Sequence, residues 1–129
     1  MVAMVSQGVS ASCRLTFASG IDVFPVALAH TPAQLAQGLS GRASIEEGML
    51  FVWPDAQERA FWMKNTYQPL KLFYLDEAAV IQQSLWLYPL SEAYRYSEHR
   101  ARYALELPEA MVKAIELRQG DSLLSVLCH

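Results

Sequence analysis

Met49-Leu50-Phe51-Val52-Trp53, Arg59-Ala60-Phe61-Trp62-Met63, Leu70-Lys71-Leu72-Phe73-Tyr74-Leu75 and the run from Val80 to Tyr88 are four short apolar or aromatic segments following one another closely. Pro, Asp, Asn and Gly separate them, which is the punctuation of strands and turns. Four strands are expected from this stretch alone. Leu72 to Leu75, Asp76-Glu77 and Val80-Ile81 read as a hairpin. Ala78-Ala79 lacks the glycine that a tight primed turn prefers, so a looser connection is expected.

On the N-terminal side, Arg14 to Phe17 and Asp22 to Leu28 flank Ala18-Ser19-Gly20. That pattern predicts a hairpin, with Pro25 on an edge because proline cannot donate to a strand ladder. Thr31-Pro32-Ala33-Gln34 supplies an N-cap, a first-turn proline and a capping-box glutamine. The helix that begins there stops near Gly41 and carries Leu35 and Leu39 on one face. On the C-terminal side, Tyr103 to Leu107 reads as a strand, Glu109 to Leu117 as a short helix with Met111 and Ile115 inward, and Ser122 to Leu127 as the last strand. The expected fold class is α+β, mainly β: about seven or eight short strands in a barrel-like or partly open barrel with two short helices.

The chain has 129 residues, 53% of them hydrophobic, enough for one independent core and too few for two. One β-rich domain over residues 13–129 is expected, preceded by an extension over residues 1–12 that is disordered or adds a first strand. Ten basic residues are scattered against 13 acidic ones, a net charge of -3, so nothing here would draw nucleic acid. No apolar run is long enough for an integral membrane segment. The first residues lack the charged and apolar regions of a secretory signal, which favours a cytoplasmic product, or an exported one whose signal has been removed. Cys13 and Cys128 fit no metal or redox spacing. Two buried thiols are the favoured reading; a disulfide requires the terminal strands to be neighbours. His30, His99 and His129 are dispersed, so no metal and no cofactor are expected.

Five blocks in order carry a family likeness: Gly38-Leu39 with Arg42; Gly48-Met49-Leu50-Phe51; Phe61-Trp62-Met63-Lys64-Asn65-Thr66 with Pro69-Leu70; Tyr103-Ala104-Leu105-Glu106-Leu107; and Gly120-Asp121. From Val23 to about Val126 the chain resembles the prokaryotic family known as domain of unknown function 192. The resemblance implies a compact β-rich domain, in a family whose members are exported or cytoplasmic, and brings no established activity. The family pattern commonly has methionine where this chain has Ser40, aspartate where it has Lys71, and glycine where it has Pro108-Glu109-Ala110.

The candidate ligand-binding residues are Arg42, Trp62, Lys64, Asn65 and Glu106. Lys64 offers a point charge and Asn65 an amide beside Trp62, a combination that orients a polar ligand, while Asn-Thr before Gln-Pro equally makes a good turn. Arg42 could present a fork to a carboxylate or phosphate, or pair with Glu46 or Glu47. Glu106, between two leucines, points away from the main core by strand alternation; buried instead, it would need a partner or a raised pKa. Trp62, Met63, Met49 and Phe51 could line a ligand pocket, although core is the favoured reading for Met49 and Phe51 and Trp62 is more open. Tyr88, Tyr94, Tyr96, Tyr103 and Trp86 form a second aromatic group whose composition resembles a carbohydrate-binding one. No phosphate loop, nucleophile elbow or zinc-protease motif is present. The leading expectation is a noncatalytic domain that binds a small polar ligand, as a monomer or small homo-oligomer. The alternatives are a hydrolase or isomerase with a Glu or Asp general base, and a β module forming an oligomer interface.

Overall fold

The chain runs β1 (Ala3–Val5), β2 (Cys13–Phe17), β3 (Asp22–Ala29), α1 (Pro32–Gln37), β4 (Gly48–Gln57), β5 (Ala60–Phe61) and β6 (Leu70–Leu75). It continues through β7 (Ile81–Leu87), β8 (Arg95–Tyr96), β9 (Ala101–Pro108), α2 (Glu109–Ala114) and β10 (Leu123–Cys128). The computed structural model describes residues 3–5 and 12–129. The expected extension over residues 1–12 lies mostly outside these; within it, β1 pairs in parallel with β10.

Eight strands form one mixed sheet in the order β1-β10-β2-β3-β4-β9-β6-β7. The sheet curls without closing. Its far edge meets β10 at one end only, through the Val80–Ser122 bridge and the Ile81 N–H, which donates to the Asp121 carbonyl at 2.9 Å. A partly open barrel is therefore the correct description of the mainly β fold.

Side-chain alternation sorts the central strands into two faces, and both are covered. Leu50, Phe73, Leu105 and Leu107 join Leu15, Phe17, Val23 and Val126 in one core, against which Met111, Val112 and Ile115 pack. Met49, Phe51, Leu72, Tyr74 and Ala104 face the other way, under Leu39, Ile45 and Met63. Strands buried on both faces read as near-continuous apolar runs, which explains the density of residues 49–53 and 70–75.

Local chemistry fixes the predicted turns. The Thr31 hydroxyl accepts from the Gln34 N–H at 3.2 Å, and the Gln34 side chain accepts from the Thr31 N–H at 3.2 Å, completing the capping box of α1. Between β6 and β7, the Asp76 carboxylate accepts from the Ala78 and Val80 N–H groups, and Ala79 takes a positive φ of 62°. The turn is built by aspartate in place of glycine, as the missing glycine implied.

Four expectations need correction. Pro25 lies in an interior strand, at the register shift between β2 and β3, where no ladder donor is missed. Only Ala60–Phe61 of the segment Arg59 to Met63 is strand, and it pairs with β8 outside the main sheet. The second helix ends at Ala114, with Ile115 already extended. Cys13 and Cys128 are not free thiols: β2 and β10 place them directly opposite each other, and they form a disulfide across a sequence separation of 115.

Candidate functional site

Glu106 is positioned by sheet register. It lies on β9 between Met49 of β4 and Leu72 of β6, so its side chain emerges from the middle of the second face. Gly48 allows β4 to approach there: a Cβ at that position would lie 2.6 Å from Leu107 Cδ2 and 3.0 Å from the Glu106 carbonyl oxygen. The alternation expected for Leu105-Glu106-Leu107 holds, but the face receiving Glu106 is itself covered, leaving it 4% exposed.

What covers that face leaves a cavity of about 510 Å³. The end of α1 and the following turn, Gln37 to Ser40, form one side, and Trp62 to Thr66 form another. Phe51, Trp53, Phe61 and Leu70 line the interior, Tyr94 lies at the rim, and Glu106 is at the base. Among the described residues no hydrogen bond or ion pair reaches the Glu106 carboxyl, and no fully enclosed polar atom lacks a partner. Its oxygens therefore open onto the cavity. Burial pushes the carboxyl up to about 8, with no neighbouring cation to offset it.

The segment Met63 to Thr66 is a turn. The Thr66 N–H donates to the Met63 carbonyl at 3.1 Å, and Asn65 adopts a left-handed φ of 56°. Asparagine tolerates that conformation better than most residues. The Asn65 carbonyl accepts from the Gly41 N–H at 2.7 Å, tying the turn to the loop after α1. The turn and site readings of Lys64-Asn65 therefore describe the same residues: their backbone makes the turn, and both line the cavity.

Trp62 and Tyr94 stack in parallel with centroids 5.1 Å apart, and the Lys64 ammonium lies 5.2 Å from the Trp62 ring. Deeper in, Phe61 meets Phe51 edge-on at 4.8 Å and Tyr74 at 5.9 Å. The Tyr74 hydroxyl donates to the Arg95 carbonyl at 2.7 Å, anchoring β8; burial, then the nearby Glu106, pushes this phenol up, against an opposing effect of Arg95.

Trp62, Lys64, Asn65 and Glu106 thus surround one cavity. Arg42 does not join them. It borders a separate hollow with Leu28 and Met49 and pairs with Glu47 at 3.5 Å. Lys71 also lies elsewhere, opposite Leu107 on the other face, with its ammonium 5.5 Å from the Trp86 ring. Its departure from the family pattern therefore leaves the Glu106 cavity untouched. Ser40, another of the three departures, does line it, and a methionine would fill more of that rim. The second aromatic group divides: Tyr94 joins Trp62, whereas Tyr103 is buried in the opposite core. Phe51 lines the cavity as one of the two readings of that residue allowed, whereas sequence reasoning missed the contributions of Trp53, Phe61 and Tyr94. Among the described residues no group of three or more His, Cys, Asp or Glu could hold a metal, and no helix is long and apolar enough to cross a membrane.

Residues 14–125 match the sequence model of domain of unknown function 192, described as "Uncharacterized ACR". The chain belongs to this family. Among solved structures, this family member is similar to a protein from Sinorhizobium meliloti 1021 given the provisional description of a transcription regulator. The identity is 35% and the TM-score 0.76, over 92% of this chain and 95% of that one. A protein of unknown function from Novosphingobium aromaticivorans DSM 12444 shares the fold at 24% identity and a TM-score of 0.75, over 92% of this chain and 90% of that one. No curated protein matches. The invariant content of the comparison is the fold, and neither structural relative carries an assigned reaction.

Proposed function

We propose that this domain of unknown function 192 protein is a noncatalytic small-ligand-binding domain whose site is the cavity between Glu106 and the Trp62-Lys64-Asn65 rim. The observation that carries this reading is Glu106, a carboxyl 4% exposed, without a partner among the described residues, and open to about 510 Å³ of space. An unpaired buried acid destabilises a fold by several kcal/mol as soon as it ionises. A position serving only the core would take an apolar side chain of similar size. The cavity volume lies within the ordinary range for small-molecule sites, roughly 300–1,000 Å³.

The description given to the Sinorhizobium relative is not adopted for this chain, because a net charge of -3 with scattered basic residues provides little for a phosphate backbone. The Cys13–Cys128 disulfide supports the exported alternative for its location, since cytosolic thiols are usually kept reduced.

Amide chemical shifts of the full chain, followed while small-molecule mixtures are added, test the binding reading. Binders should move Gly38, Leu39, Asn65 and Thr66 together. Binders that instead perturb residues away from the cavity, with these four unmoved, would sink it.

A second reading has support of its own. A carboxyl raised to about 8 by burial at the base of a concave site is suited to general acid–base catalysis. Among the described residues no His, Cys or second carboxylate lines the cavity with it, and the Tyr74 hydroxyl is already committed to the Arg95 carbonyl. Turnover of any cavity ligand, abolished in Glu106→Gln with ligand affinity retained, would favour catalysis over simple binding.

A further inference from the structure

Resting on the binding reading above, the geometry points to a small primary ammonium compound with an apolar body as the occupant, its nitrogen against the Glu106 carboxyl and its body against Phe51, Trp53 and Phe61. Charge is the first argument. Lys64 and Glu106 are the charged residues that line the cavity, and the exposed Lys64 has its ammonium over Trp62. The nearby guanidinium groups are committed elsewhere: Arg59 donates to the Ala101 carbonyl at 3.1 Å and to the Asp55 carbonyl, and Arg95 donates to the Trp86 carbonyl at 3.0 Å. Among the described residues none supplies Glu106 with a cation. A ligand can.

The second argument is the polar inventory. The Ser40 hydroxyl donates to the Gln37 carbonyl at 2.8 Å, and the Thr66 hydroxyl to the Lys64 carbonyl at 3.4 Å. With the Tyr74 hydroxyl also committed, Glu106 is the polar side chain left at the base, while the exposed Gln37 and Asn65 bring their amides to the mouth. A sugar would have to surrender several water hydrogen bonds for that single partner at the base, and an anion would meet the carboxylate. Trp62 is also a poor free platform for a sugar ring, because it already meets Tyr94 and Lys64. One cationic end and an apolar remainder match the Glu106 carboxyl and the Phe51, Trp53 and Phe61 rings beside it.

The third argument is the ring faces. Cations within this protein already settle on these aromatics, with the Arg59 guanidinium 4.4 Å from the Trp53 ring centre. The negative faces of aromatic rings draw organic cations, most strongly where water is excluded.

Charge on Glu106 sets the pH behaviour. The other titratable groups around it are Tyr74 from β6, Lys64 and Tyr94 from the segments above the cavity, and Arg59 and Arg95 behind Trp53 and Tyr74; β4 and α1 contribute none there. An ammonium ligand binds the ionised acid, so its affinity should rise about tenfold per pH unit until Glu106 ionises at about 8, then level off.

Phenethylammonium and phenethyl alcohol, two probes of similar shape, test the inference on the full chain by calorimetry and amide shifts. At about pH 8.5 the ammonium should bind at least tenfold more tightly than the alcohol, a difference of roughly 1.4 kcal/mol, and Glu106→Gln should erase the preference. Lowering the pH to about 6 should weaken the ammonium tenfold or more and leave the alcohol unchanged. Equal affinity for both probes at the cavity would overturn the ammonium class while leaving the binding site standing. No ammonium binding at about 10 mM would overturn the class as well, and the amide-shift screen above then decides the site separately.

Discussion

Replacing Glu106 by glutamine keeps the side chain's volume and removes its ionisation, which makes the cost of that ionisation measurable. The carboxyl is 4% exposed and raised from 4.5 to about 8 by burial. Between those values the unfolded chain releases a proton that the folded protein keeps, so the folded state binds more protons and wild-type stability falls as pH rises. Each pH unit in that interval costs roughly 1.4 kcal/mol. The loss is about 3 kcal/mol at about pH 7 and approaches 5 kcal/mol above about pH 8, where it levels off. Below about pH 4 the acid is neutral in both states and contributes no such loss. Urea denaturation of wild type and Glu106→Gln across this range isolates the effect, because the remaining titrations are shared. The variant should become progressively more stable than wild type from about pH 5 upwards. A difference independent of pH, or one that favours wild type as pH rises, would refute the claim of an uncompensated buried acid and point to a cationic or well-hydrated partner.

Two further outcomes test the frame around the site. Asn65→Gly should alter stability by less than about 1 kcal/mol, because glycine accepts the positive φ, whereas Asn65→Val should cost roughly 1–3 kcal/mol; equal values from thermal melts would mean the turn is not held as described. Reducing the Cys13–Cys128 disulfide, or replacing both cysteines by alanine, should lower stability by about 5 kcal/mol on chain-entropy grounds for a separation of 115. Two free thiols in the unreduced, denatured protein would contradict the bond itself.

Local signals carried much of the fold. The capping box of α1, the apolar segments at 49–53 and 70–75, and the Asp76 turn each specify their own geometry through neighbours in sequence. Long-range relations were hidden. β8 is two residues long, too short for a period, and its partner β5 lies more than thirty residues earlier. The parallel pairing of β3 with β4 leaves no mark that distinguishes it from an antiparallel neighbour. Glu106 is a candidate on sequence grounds, but Leu-Glu-Leu in a strand has the same pattern whether its polar side faces water or a covered cavity. Tyr94 reaches Trp62 only because the chain between them passes through β6 and β7 and returns. Arg42 lies outside this cavity, and its guanidinium donates to Glu47, five residues on, at 3.5 Å.

The disulfide also determines how the domain would carry load. Tension applied at Ser12 and His129 passes from Cys13 directly to Cys128 through a covalent link. The intervening segment, including the cavity between β4, β6 and β9, lies within the bridged loop and outside the line of force. Drawn from both flanks, as between two anchored neighbours, the chain would reach the limit of its covalent bridge with the sheet still intact. The mouth around Trp62 would keep its shape under a pull that would peel a sheet of the same order lacking that bridge.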